Sequence, residues 1–216
     1  GFTSPAWPEL VRPVVCLAFT GWSDAAGAAT DAAEVVAEAA DATASFDFDA
    51  GDYIDYQATR PVTYLDTDGR RRIEWPAVSV RCGSISGQDV VVISGDEPSL
   101  RWPQFSTRLS DEIETLKPSA VLLLGSMLAD IPHTRPFPVS GSSTEPRVAE
   151  RCGIESSNYE GPTGILGVLH VAGLDRELPI TSLWVSLPHY VGQGQCPPAV
   201  LSLMRAVEDA TGMRRP

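Results

Sequence analysis

Four continuous apolar segments, each followed by a polar loop and a stretch with helical spacing, constrain the fold of this chain most strongly. They lie at residues 13–19, 89–94, 120–124 and 180–187. Strands without apolar–polar alternation are buried on both faces, which is typical of parallel sheets, and parallel strands need crossover connections that are usually helical. The sequence therefore predicts an α/β protein with a mostly parallel sheet covered by helices on both faces.

The helices expected between these strands have recognisable boundaries. Ser23 is the predicted N-cap of the first helix and Asp24 lies in its first turn, where a carboxylate complements the helix dipole. Pro118 ends the second helix, and Gly212 ends the last. The four predicted helices cover about residues 24–40, 100–116, 164–174 and 197–211.

Two segments break the alternation. Residues 46–82 contain a predicted hairpin turn at 65–70 followed by an arginine-rich strand, so this region is an antiparallel β insertion or an extension of the sheet. Residues 140–158, rich in Ser, Glu and Gly, are predicted to form a mobile connection around a short helix.

Charge and hydropathy exclude several classes of function. The net charge of -12 opposes association with nucleic acid and with anionic membranes, so neither is expected as a partner. No apolar run approaches the roughly 18 residues of a membrane span, and the N-terminus does not resemble a secretory signal. These features favour a cytoplasmic protein.

Sequence motifs give no support for a metal or a cofactor. The cysteines are widely spaced without a C-x-x-C pair, and no two histidines share a short motif, so we expect no metal site. Glycine loops of the dinucleotide and nucleoside triphosphate types are missing, as is the G-x-S-x-G nucleophile motif. We therefore predict no cofactor, and the sequence identifies no catalytic nucleophile.

Polar residues follow the predicted parallel strands at the point where each strand ends. In open α/β sheets a ligand crevice forms outside these carboxyl ends, so the loops are expected to converge there, joined by the loop 160–164 at a helix start. The residues predicted to line this cleft are Gly21, Trp22, Asp24, Gly95, Glu97, Arg101, His133, Thr134, Arg135, Glu160, Gly161, Thr163, His189 and Tyr190.

The predicted cleft has a chemical and a structural interpretation. His133 and His189 each follow a proline after a buried strand, and with Arg135 they have the makings of general acid–base chemistry. In the structural alternative, Arg135 pairs with Asp130 or Glu160 and the histidines bond within the fold. Acidic residues beside three predicted helix starts, namely Asp24, Asp96 or Glu97, and Glu160, argue against an anionic ligand.

Five ordered motifs in this chain resemble the proteasome assembly chaperone 2 family (PAC2 family), in its actinobacterial branch. They are FTGWSDAAG at 19–27, GDEPSLRW at 95–102, PHTRP at 132–136, YEGPTGI at 159–165 and LWVSLPHYV at 183–191. The resemblance implies one domain over residues 1–216, built as a three-layer α/β/α sandwich similar to nucleoside phosphorylases and commonly homo-oligomeric. Family members that dock on the proteasome core particle use a C-terminal hydrophobic-Tyr-any tripeptide, where the sequence here has residues 214–216, Arg-Arg-Pro.

Two hypotheses about function follow. The first is a non-enzymatic, assembly-chaperone-like or protein-binding module whose partner is the proteasome or another protein, since no enzymatic activity follows from the resemblance. The second is a nucleoside-phosphorylase-like enzyme or small-molecule sensor. In it, His133, Arg135 and His189 would transfer protons and orient a ligand. Asp24 or Glu97 would position a ribose-like hydroxyl.

Overall fold

The predicted alternation of strands and helices is present in the computed structural model, which describes residues 7–48, 51–154, 159–191 and 194–213. In chain order the strands and α-helices are β1 (Val14–Phe19), α1 (Ala28–Ala39), β2 (Thr43–Phe48), β3 (Val62–Leu65), β4 (Arg71–Glu74), β5 (Val78–Ile85), β6 (Gln88–Gly95), α2 (Trp102–Thr115), β7 (Ala120–Ala129), β8 (Val139–Ser143), α3 (Pro146–Cys152), α4 (Ile165–Leu174), β9 (Ile180–Pro188) and α5 (Pro197–Thr211).

Seven of the strands form one sheet in the order β2-β5-β6-β1-β7-β9-β8. The four central strands, β6, β1, β7 and β9, are parallel, and β1 is aligned with both neighbours so that Val14 lies opposite Val90 and Ala120. Antiparallel pairing adds β5 and then β2 at one edge and β8 at the other. The mostly parallel sheet is confirmed.

Side chains of β1 alternate between two cores, one on each face of the sheet. Cys16 and Ala18 belong to the core that includes α1 and α5, whereas Leu17 and Phe19 belong to the core that includes α2 and α4. Because both faces are covered, every β1 side chain is buried. This arrangement is a three-layer α/β/α sandwich, as expected, and it explains the continuous apolar runs in the sequence.

An aromatic cluster holds α2 against the sheet. Phe105 is fully buried, and its ring lies 6.0 Å from Phe19, 5.5 Å from Phe48 and 5.3 Å from Tyr53, measured between centroids. All three contacts are edge-to-face, the geometry that aromatic pairs favour. The cluster ties α2 to the end of β1, where the first predicted site loop begins.

The segment predicted as a β insertion, 46–82, divides into two parts. Strands β2 and β5 extend the main sheet, and their bounds reach beyond 46 and 82. Strands β3 and β4 pair only with each other among the described residues. The hairpin turn expected at 65–70 connects them.

The prediction of a mobile connection at 140–158 needs correction at its start. Residues up to Ser143 form the edge strand β8, because alternate backbone groups pair with β9 from Thr181 to Val185. The short helix expected within the segment is α3. Residues 155–158 lie outside the described part of the chain.

The four cysteines are free thiols, with Cys16 and Cys196 buried. Burial raises the pKa of the Cys16 thiol to about 12, so this group stays protonated at neutral pH. In the described ranges, no helix is both long enough and apolar enough to cross a bilayer.

Candidate functional site

The four parallel strands end at one edge of the sheet, here called the carboxyl edge. Loops after β1, β6 and β7 and a short helix after β9 (His189–Val191) start there. The N-terminus of α4 joins this edge through a contact with Glu97. The segments that the sequence predicts to converge are therefore neighbours along the sheet.

Glu97 caps helix α4. Its Oε1 accepts a hydrogen bond from the backbone N–H of Ile165 at 2.9 Å. A Cβ atom at Gly164 would lie 3.0 Å from Oε1, and one at Gly21 would lie 3.1 Å from Oε2, so both glycines leave room for the carboxylate. The sequence places Asp96 or Glu97 beside the start of the helix that follows, α2, but α2 has Arg101 at its N-cap and no side-chain cap.

Asp24 performs the equivalent task for α1. Its Oδ1 accepts hydrogen bonds from the N–H groups of Ala29 at 2.8 Å and Thr30 at 3.2 Å, and its Oδ2 accepts one from the Thr30 hydroxyl. Burial, followed by the charge of Asp24, raises the pKa of the neighbouring Asp31. Both carboxylate oxygens of Asp24 therefore bond to the first residues of α1, so they are engaged within the fold and not with a ligand.

The prediction that Ser23 caps α1 is wrong. Its side chain is fully buried, and its hydroxyl has no hydrogen-bond partner among the described residues. The hydroxyl lies 2.8 Å from the position that a Cβ of Gly164 would occupy. A one-turn 3₁₀ helix at Ala25–Gly27 precedes α1 and moves the helix start away from Ser23.

A second group of predicted site residues joins the loop after β7 to the end of β9. The Tyr190 hydroxyl accepts a hydrogen bond from the backbone N–H of His133 at 2.9 Å and lies 2.8 Å from His133 Nδ1. His189 Nε2 lies 3.6 Å from Asp130 Oδ1. Both histidines are exposed and have partners from the opposite segment, so the four side chains link two loops.

The remaining predicted residues divide between backbone roles and solvent. Gly95 has a φ of +155° and lies against the backbone of β5, and Arg101 is exposed in a left-handed conformation. Thr134, Arg135, Glu160, Gly161 and Thr163 are all exposed. Within the described residues, Arg135 forms no ion pair with Asp130 or Glu160, so the internal pairing considered from the sequence is not formed.

The third histidine, His170, has a structural position. It lies on α4, half-buried, with Nε2 3.4 Å from the Ser142 hydroxyl. Burial lowers its pKa, so the imidazole is neutral at pH 7. It lies beyond the first turn of the helix and does not take part in the carboxyl edge.

Large apolar side chains at the carboxyl edge were not singled out from the sequence as a group. Trp22, Tyr159 and Tyr190 are 63%, 66% and 64% exposed, and Met127 and Leu128 at the end of β7 are also exposed. We call these five residues the aromatic rim. Strand β7 runs to Ala129, whereas the sequence predicts a strand only to residue 124. The apolar residues Met127 and Leu128, which continue the strand past its buried part, are the sequence feature that indicates this extension.

A cavity of about 350 Å³ lies at the opposite edge, beside the first residues of β1, β7 and β9. Its polar lining includes Arg12, Gln88, Glu145 and Arg151. Arg151 donates a hydrogen bond to the carbonyl of Ala210 and so completes the C-terminus of α5. Across the described ranges, no three His, Cys, Asp or Glu side chains come close enough to hold a metal ion.

Removing the Glu97 carboxylate tests its capping role. We expect Glu97→Ala to lower the free energy of unfolding by about 1 kcal/mol, because α4 loses the acceptor for its first N–H. Glu97→Gln keeps an acceptor at Oε1 and should lose less than half as much. Urea denaturation measures both, with the exposed Glu160→Ala as the control; equal losses at positions 97 and 160 would contradict the cap.

Comparisons with known proteins give one consistent result. The PAC2 family model matches residues 18–216. A PAC2 family protein from Streptomyces avermitilis is 40% identical, with a TM-score of 0.87, over 94% of this chain and 88% of that protein. A proteasome-assembly chaperone homologue of Mycobacterium tuberculosis is also 40% identical, with a TM-score of 0.86, over 94% and 87%.

An archaeal relative shares the fold alone. PbaA of Pyrococcus furiosus, an archaeal homologue of proteasome-assembly chaperone, is 16% identical with a TM-score of 0.68 over 96% of this chain and 80% of that protein. A search of curated proteins gives no significant match.

Proposed function

Because this chain belongs to the PAC2 family, in its actinobacterial branch, we propose that it is a non-enzymatic, assembly-chaperone-like protein that binds a proteasome subunit or assembly intermediate at its carboxyl edge. The proposal includes self-association into a homo-oligomer and a place in the cytoplasm. The relative from Mycobacterium tuberculosis that is described as a proteasome-assembly chaperone homologue supports the choice of partner.

The observation that carries the proposal is the exposure of the aromatic rim. Three aromatic side chains, each more than 60% exposed, and the exposed Met127 and Leu128 all belong to segments at the carboxyl edge. Tyr, Trp and Met are enriched in protein interfaces, and clustered apolar side chains on a protein surface usually mark such a site. Binding would remove these side chains from water, which favours association.

The polar residues at the same edge are engaged in ways that disfavour catalysis. Asp24 and Glu97 accept hydrogen bonds from helix N–H groups. A nucleophile needs a base within hydrogen-bond reach, yet the buried Ser23 hydroxyl has no such partner among the residues described. These contacts stabilise the loops that present the rim, which is the role expected of a binding module.

The binding test is an affinity measurement against purified actinobacterial proteasome core subunits and half-assembled intermediates. We expect saturable binding that Trp22→Ala weakens about 30-fold, since an interface tryptophan commonly contributes about 2 kcal/mol. Tyr190→Ala should weaken it as well. The control is Val171→Ala, a change at a position that is 56% exposed on α4 and outside the rim.

Two results would contradict the proposal. One is binding no stronger than that of an unrelated acidic protein. The other is a specific rise in melting temperature with a nucleoside plus phosphate, which would favour the enzyme or sensor hypothesis. If binding is strong but equally sensitive to Val171→Ala and Trp22→Ala, the partner is retained and the rim is excluded as its site.

A further inference from the structure

The hairpin of β3 and β4 is exposed on both faces. We call residues 60–75 the hairpin arm. All eight residues of its two strands are exposed, and the strands pair only with each other among the described residues. A two-stranded hairpin that buries no apolar surface is marginally stable in water, so a covering surface is expected.

Local contacts nevertheless fix the shape of the arm. At the tip, the Asp66 carboxylate accepts hydrogen bonds from the N–H groups of Asp68 at 3.1 Å and Arg70 at 2.8 Å, and Gly69 takes a φ of +73°. At the base, the rings of Tyr56 and Trp75 meet edge-to-face at 5.1 Å. The arm is therefore held in shape before it binds, which lowers the entropy lost on docking.

The strand pairing assigns the residues of the arm to two faces. Residues directly opposite each other in an antiparallel pair share a face, so the pairs Thr63–Ile73 and Leu65–Arg71 lie on one face. Leu65 is 64% and Ile73 53% exposed on this face. Trp75 follows β4 directly and is 55% exposed. We call the face with Leu65 and Ile73 the apolar face; the opposite face carries Val62 and Tyr64, which are 59% and 48% exposed, together with Arg72 and Glu74.

The charge of the arm is opposite to that of the rest of the chain. Residues 60–75 contain four arginines and three carboxylates, a net charge of +1, so the other residues carry -13 of the total of -12. Arg72 pairs within the arm with Asp66 at 2.9 Å. Arg71, on the apolar face, forms no ion pair in the part of the chain that the structure describes, and its guanidinium is available to a carboxylate elsewhere.

We propose that the hairpin arm docks on the acidic body of a second copy of this chain. Leu65, Ile73 and Trp75 bury their side chains against it, and Arg71 pairs with one of its carboxylates. Two bodies of this charge repel each other, and the arm supplies both the apolar surface and the opposite charge that association needs. The inference rests on the proposed self-association and uses a surface separate from the aromatic rim.

Sedimentation of the purified chain at about 100 μM tests the arm, since a micromolar dissociation constant gives nearly complete assembly there. We expect a mass that is a multiple of 23.1 kDa. The double variant Leu65→Ser and Ile73→Ser should shift the protein to the monomer mass, and Arg71→Glu should raise the dissociation constant at least about 10-fold. The matched control is Val62→Ser, which is 59% exposed on the other face of the same hairpin.

Each of the remaining outcomes contradicts a specific part of the inference. A monomeric wild-type chain overturns self-association and the arm together, while binding to proteasome subunits is measured separately and can persist. If the double variant is still oligomeric, the arm is excluded as the interface, but self-association is retained. Equal dissociation by Val62→Ser and by the double variant overturns the assignment of the apolar face. Circular dichroism of each variant checks that the domain remains folded.

Discussion

Replacing Phe105 with alanine is expected to lower the free energy of unfolding by about 3–5 kcal/mol, the range for a fully buried phenylalanine. The ring contacts three other aromatic side chains and has no exposed surface, so alanine leaves a cavity that the sheet and α2 cannot fill. A typical domain has about 5–15 kcal/mol of stability, so much of it would be lost. Urea denaturation followed by tryptophan fluorescence measures the change.

The control is Phe105→Leu, which retains most of the apolar volume and should cost about half as much or less. If both variants lose the same amount, the aromatic contacts and not the volume account for the effect. A loss below about 1 kcal/mol for alanine would show that α2 repacks, contrary to the expectation. Because Phe19 precedes the first site loop, the alanine variant should also weaken partner binding.

Gly95→Ala is the second large effect that we expect, a loss of about 3 kcal/mol or more. A Cβ at this position would lie 2.0 Å from the carbonyl oxygen of Ala77 and 2.8 Å from Cα of Val78. Val78 is paired with Gly95, and the Ala77 carbonyl accepts a hydrogen bond from the N–H of Asp96, so neither atom can move aside without breaking backbone pairing. The φ of +155° adds strain for any residue with a side chain.

Gly87→Ala separates the two causes. Gly87, in the turn between β5 and β6, has a φ of +84°, and a Cβ there would meet nothing within 4 Å. We expect Gly87→Ala to lower the free energy of unfolding by about 1 kcal/mol, and this loss measures backbone strain alone. Thermal and urea unfolding measure the loss of stability in both variants. The extra loss in Gly95→Ala is the contribution of the steric overlap. Equal losses would contradict the overlap.

The apolar runs correctly predicted the parallel centre of the sheet, because strands buried on both faces must be apolar throughout, as β1 is. Edge strands carry a weaker signal. Three of the five residues of strand β8, with sequence VSGSS, are serine, and the sequence therefore predicts a connection there. Its pairing with β9 depends on a partner about forty residues away, and no local pattern reports that.

At the candidate site, the sequence correctly predicted which loops follow the parallel strands, since strand polarity fixes the edge at which they emerge. It did not predict what their side chains touch. Glu97 precedes α2 in the chain yet caps α4. Ser23 is of a residue type common at N-caps, but its hydroxyl is buried without a partner in the described residues. Helix-cap rules consider only neighbours in sequence, whereas the hydrogen bond of Glu97 joins residues that are 68 positions apart.

The sequence by itself determined the α/β class, the family and the carboxyl edge as the place where loop residues gather, because hydrophobic periodicity and ordered motifs are local properties of the chain. Only the tertiary structure decided that Asp24 and Glu97 stabilise helices, that His133 and His189 pair with Tyr190 and Asp130, and that the rim and the hairpin arm are exposed. The physical reason is that hydrogen bonding and exposure depend on which distant segments pack together, as when the N-terminus of α4 is brought to Glu97.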